Sequence, residues 1–103
     1  MSARRDTARR WVIDEHKNDA DIAHLIVVGY DEGPARIEME GYVNEARAEV
    51  KWWEALEKAY RASGYRPDID LVADRLLISS KTLRNQCRDH DIADWRDLHA
   101  RFR

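Results

Sequence analysis

One cysteine, two prolines and four glycines are all that 103 residues contain of the types that lock or break a backbone. The lone Cys87 cannot close an internal disulfide, which suits a reducing compartment. Nothing is repeated, and no low-complexity linker divides the chain. The longest apolar run, Leu25-Ile26-Val27-Val28, is four residues, far short of the ~20 needed to cross a bilayer. Met1-Ser2-Ala3-Arg4-Arg5 leads into no signal-peptide core. A cytoplasmic protein without a membrane partner is therefore expected. A strong charge of one sign is missing as well, since the net charge is −2, which argues against a generic nucleic-acid coat. No glycine-rich phosphate loop, nucleophile motif or catalytic pair occurs, so no enzyme and no cofactor are expected. His16, His24, His90 and His99 fit no metal spacing.

What is present is charge, in quantity and unevenly placed. Charged residues make up 37% of the chain, as in small helical proteins that solvate their outer faces. Residues 1–10 hold four arginines against Asp6, while residues 11–62 hold six basic and twelve acidic side chains. Between Ser79 and Arg88 lie Lys81, Arg84 and Arg88 with no acid among them. A small basic island on a nearly neutral protein is what local phosphate contact needs. The Arg-rich N-terminus is open to two readings, a minor-groove arm or a merely soluble end.

The chain length suggests one mainly α domain over residues 1–103. Thr7 to Lys17 forms a short helix with Ala8, Trp11 and Val12 on one side. Leu25 to Tyr30 is rich in β-branched residues, Asp31-Glu32-Gly33-Pro34 has turn chemistry, and Arg36 to Glu40 alternates polar with apolar. That pattern predicts an N-terminal β-hairpin pairing 25–30 with 35–42. The competing reading starts a long helix at Pro34, and Gly41 argues against it. These elements fill residues 1–43. Asn44 can cap a central helix over 44–63 that ends at Ser63-Gly64. Its apolar arc is wide enough to need partners on two sides.

Pro67 to Asp70 opens the next helix with an acid-rich first turn. Leu71, Val72, Leu76 and Ile78 are expected to be buried, and Ala73 suits a close helix crossing. Ser79 can cap the following helix, which turns Leu83 and Cys87 inward at i, i+4 and Ser80, Lys81, Thr82, Arg84, Asn85 and Arg88 outward. Small caps followed by long donors suit a helix that enters the major groove N-terminus first, with the Ser79 and Ser80 hydroxyls and the first amides on phosphate and Arg and Asn at base edges. A small core role for Cys87 is favoured over a redox switch. Asp94 is a plausible cap for a last helix over 93–103, with Trp95, Leu98 and Phe102 on one stripe.

Ala73-x-x-Leu76-x-Ile78-Ser79-x-x-Thr82-Leu83, followed by Cys87 and His90-Asp91-Ile92, resembles the helix-turn-helix of the Fis family (factor for inversion stimulation). The same module ends many NtrC-type enhancer-binding regulators. The likeness spans roughly residues 45–92, with the helix-turn-helix itself at 67–92. It implies a homodimer, with Val50, Trp53, Leu56 and Tyr60 at the dimer interface, that places two recognition helices in successive major grooves of double-stranded DNA. Transcription regulation or DNA bending, in association with the nucleoid, is the function implied. Leu77 stands where the family has glycine and must tolerate an unusual backbone or a reshaped turn, and Asp91, at a second such position, accepts left-handed geometry better than most residues. Ser79 and Ser80 stand where the family presents Asn and Arg to bases, while Thr82 and Arg84 match. Asn85 and Gln86 replace lysines. An adaptor or inhibitor that turns the same scaffold toward a protein partner is the alternative, motivated by the acidic middle and the appended last helix.

Overall fold

The computed structural model describes residues 2–103. These form six α-helices and one π-helical turn, and no strand occurs among them. In order they are α1 (Ala3–Arg9), the π-helical turn (Arg10–Asp14), α2 (Asp19–Gly29), α3 (Gly33–Ala62), α4 (Ile69–Arg75), α5 (Ser80–Asp89) and α6 (Asp97–Arg101). The chain divides into two compact units, one ending at Trp52 and the other running from Trp53 to Arg103. The sequence suggested a central helix starting at Asn44, whereas α3 already begins at Gly33.

In the first unit, Ser2 caps α1 and Asn18 caps α2, each side chain accepting a backbone N–H three residues on. Ala8, Trp11, Ile22, Ile26, Met39 and Val43 form the core. The expected β-hairpin is not found, and both of its strands are helical. Ile22 and Ile26 lie inward at i, i+4, while Val27 and Val28 are exposed. Met39, Val43 and Ala46 are buried at i, i+4, i+7, whereas Ile37 is exposed. Helical spacing therefore places more side chains in the core than alternation would. Pro34 stands in the first turn of α3, where its missing N–H has no intrahelical partner to lose. Asn44 is not a cap but lies within α3.

The N-terminal arginines are not a free arm. Arg4 reaches Glu38 at 2.7 Å, Arg5 pairs with Glu45, and Arg9 pairs with Glu49, which joins α1 to α3. Their hydrogen bonds lower the Glu38 carboxyl below its usual range and raise the Arg9 guanidinium above its own. Exposed pairs of this kind contribute roughly 0–1 kcal/mol each, so they set the register of the two helices more than they hold them together.

In the second unit, the core is Leu56, Ala59 and Tyr60 from α3, Val72 and Ala73 from α4, and Leu83 and Cys87 from α5, with Leu98 and Phe102. Ser63 donates to Tyr60 as α3 ends, and Gly64 turns the chain at φ 103°. Asp68 caps α4 by accepting from the Leu71 backbone at 3.0 Å. Leu71, expected in the core, is 52% exposed, because Val72 and Ala73 take the inward positions.

Candidate nucleic-acid interface

Leu76 to Ser79 reverses the chain between α4 and α5, and the two helices pack on one another. Leu77, 91% exposed, adopts φ 59°, and Asp91, just past α5, adopts φ 62°. Neither position holds glycine, and of the two outcomes open to Leu77 the turn keeps the unusual backbone rather than a reshaped course. Such a backbone costs roughly 1–2 kcal/mol for a residue with a Cβ. A tight reversal is thus kept here at some cost. Ile78 donates its N–H to the Ala73 carbonyl across the turn at 3.1 Å.

Ser79 caps α5 as expected. Its Oγ accepts the Thr82 N–H at 3.0 Å and donates to the Thr82 hydroxyl at 2.8 Å. Leu83 and Cys87 face inward, and burial raises the Cys87 thiol above its ordinary pKa, so it stays protonated at neutral pH. That fits a small core residue rather than a reactive one.

Lys81, Arg84, Asn85 and Arg88 are all exposed, and their spacing of i, i+3, i+4, i+7 sets them along one stripe of α5. Among the described residues, Lys81, Arg84 and Arg88 make no ion pair, in contrast to the paired arginines of α1. The first turn of α5 holds no acid. Its backbone N–H groups and the three cations therefore present positive potential on one face.

Ser80 departs from the expected phosphate contact. It is half-buried, and its hydroxyl donates to the Asp70 carboxylate of α4. A hydroxyl engaged by a carboxylate is less free to serve a phosphate, and Asp70 itself repels one. No local rule links residues ten apart, so nothing in the sequence pattern announces this pair.

The residues expected at a dimer interface are also used differently. Leu56 and Tyr60 are buried inside the unit, and Val50 and Trp53 are half-buried. The segment after α5 covers this face of α3. The Phe102 ring sits 5.1 Å from that of Tyr60 and 6.3 Å, edge-on, from that of Trp53. Arg101 lies over the Trp53 ring at 3.6 Å, and the Tyr60 hydroxyl is hydrogen-bonded to His99 Nδ1. Trp95 donates its indole N–H to the Pro67 carbonyl at 2.9 Å. The last helix is shorter than the expected 93–103, and Asp94 does not cap it: the N-cap position is Arg96, without a side-chain cap, while Asp94 accepts the Arg96 N–H in the turn before. Among the described residues no cluster of His, Cys, Asp or Glu could hold a metal ion and no helix is long and apolar enough to cross a membrane.

Compared with known protein families, curated proteins and solved structures, the chain matches none.

Proposed function

We propose that the unit from Trp53 to Arg103 is a helix-turn-helix that binds double-stranded DNA, with α5 as its recognition helix. The observation that carries this reading is the stripe Lys81, Arg84, Asn85 and Arg88, exposed on α5 and without ion pairs among the described residues. The capped N-terminus of α5 and the left-handed Leu77 and Asp91, at the positions where the Fis-type module has glycine, support it. In this reading Arg84 and Asn85 reach base edges, while Lys81, Arg88 and the first amides of α5 hold phosphates. Ser79 shapes the helix end, and Ser80 is held back by Asp70. The role is that of a transcription regulator or DNA-bending accessory factor.

The resemblance implies a homodimer through α3. With Leu56 and Tyr60 buried under the chain's own C-terminal segment, we favour one copy per major groove over a pair joined through this face. Fluorescence anisotropy on mixed and A/T-rich duplexes tests DNA binding. Three phosphate contacts give a log–log salt slope of roughly −0.9 each, and Arg84→Ala weakens binding by about tenfold or more. No binding at low salt, or binding indifferent to Arg84→Ala, contradicts the reading.

A second reading has one observation in its favour. Leu77 and Leu71, 91% and 52% exposed, leave apolar surface on α4 and the turn after it, which suits a protein partner better than a phosphate backbone. A stoichiometric protein complex sensitive to Leu77→Ser, without DNA affinity, would support that adaptor role.

A further inference from the structure

Away from α5, the second unit holds a cavity of about 490 Å³ between the end of α3, the loop after it and the C-terminal segment. That volume falls within the range of small-molecule clefts, roughly 300–1,000 Å³. Its charged side chains are Arg61, Arg66 and Arg103, with no described Asp or Glu among them, although Arg61 also reaches the main-chain carbonyl oxygen of Arg103 at 3.5 Å. Arg61 is held by Glu57 at 2.9 Å, but Arg66 and Arg103 make no side-chain ion pair among the described residues. The remaining walls are the rings of Tyr60, Tyr65 and Phe102.

The loop that carries Tyr65 and Arg66 is built at conformational cost. Gly64 adopts φ 103° and Arg66 adopts φ 46°, a left-handed backbone disfavoured for a residue with a Cβ. The result is a tyrosine left 89% exposed with the Arg66 guanidinium 5.5 Å from its ring centroid. An aromatic face with a guanidinium beside it, at the mouth of a cavity lined by cations and no acid, presents two kinds of recognition together. The ring stacks a planar base, and the guanidiniums take a phosphate in bidentate fashion.

We infer that this cavity binds a nucleotide-type anion, its base stacked on Tyr65 and its phosphate held by Arg66 and Arg103. The ligand can be a free mononucleotide or a nucleotide of an unpaired strand, and the two share this chemistry. The site is independent of the stripe on α5.

The test is an amide-resolved NMR titration of the full chain with adenosine 5′-monophosphate, adenosine, inorganic phosphate and a short single-stranded oligo(dA). The monophosphate should shift the amides of Gly64, Tyr65 and Arg66 and saturate. Adenosine or phosphate alone should bind at least about tenfold more weakly. Tyr65→Ala and Arg66→Gln, both at exposed positions, should each lose about tenfold in affinity with an unchanged circular dichroism spectrum. Arg84→Ala should leave nucleotide affinity intact, which separates this site from the DNA reading. Tighter binding of oligo(dA) with the same variant losses assigns the site to an unpaired strand, and equal or weaker binding assigns it to the free nucleotide. Absence of shifts at about 10 mM monophosphate, or shifts that persist in both loop variants, overturns the inference. So does inorganic phosphate binding as well as the nucleotide, because the stacking half of the site is then idle.

Discussion

The Phe102 ring packs 5.1 Å from the Tyr60 ring, so the C-terminal segment covers the α3 face on which a Fis-type module would pair with its second copy. Both rings are nearly buried. Phe102→Ala should therefore destabilise the second unit by about 3–5 kcal/mol, the range for a deleted core phenylalanine. Light scattering should find the wild-type chain monomeric at micromolar concentration. A stable dimer that Val50→Asp disrupts while the chain stays folded would contradict this account of the face.

Gly41 gives a local test of the helix that replaced the expected hairpin. It lies inside α3, it is exposed, and a Cβ built on it meets nothing within 4 Å. Gly41→Ala should stabilise the protein by about 0.5–1 kcal/mol, read from the urea midpoint at unchanged m-value. An unchanged or lowered midpoint would argue against a helix through this residue.

Residues 25–29 and 33–42 are helical for a tertiary reason. Four consecutive apolar residues at 25–28 look alike to a buried strand and to a helix, and local propensity favours the strand. The decision comes from what Ile22, Ile26, Met39 and Val43 bury together with Ala8 and Trp11, a tertiary matter invisible in a short window. Around α5 the local pattern decides more. The Ser79 cap and the inward Leu83 and Cys87 are dictated by near neighbours in sequence, whereas the unusual backbone at Leu77 and Asp91 was legible only through the resemblance to the Fis-type module. The Ser80–Asp70 bond and the cation-lined cavity join distant residues, and no pattern announces them. An exposed Tyr-Arg pair just after a glycine was the only available hint of the cavity.

Asp70 is the acid closest in function to the proposed DNA face, because it takes the hydrogen bond of Ser80 at the start of α5. Asp70→Asn removes a negative charge there while keeping an acceptor for the hydroxyl. Duplex affinity measured by anisotropy at low salt should rise about threefold to tenfold. A fall in affinity, with the fold intact by circular dichroism, would mean that Asp70 does not oppose the phosphates.

Asp94 sets an acid limit on the C-terminal segment. Hydrogen bonds from the Arg96 side chain and backbone lower its carboxyl from 3.8 to about 2. A carboxylate favoured in the folded state contributes its stability above the unfolded pKa and loses it as pH falls through the folded one. This contribution should be complete above about pH 4 and disappear toward pH 2. Asp94→Asn should therefore unfold with a shallower pH dependence across that window in thermal melts. Identical acid profiles for the two proteins would rule out this role.

The most direct test of the account is amide NMR of the full chain titrated with a duplex it binds. Shifts should concentrate on Ser79 to Arg88 and the turn before them, leave α1 and α2 unmoved, and collapse in Arg84→Ala. A duplex that shifts chiefly the residues before Trp52, or that shifts nothing at low salt, would contradict it.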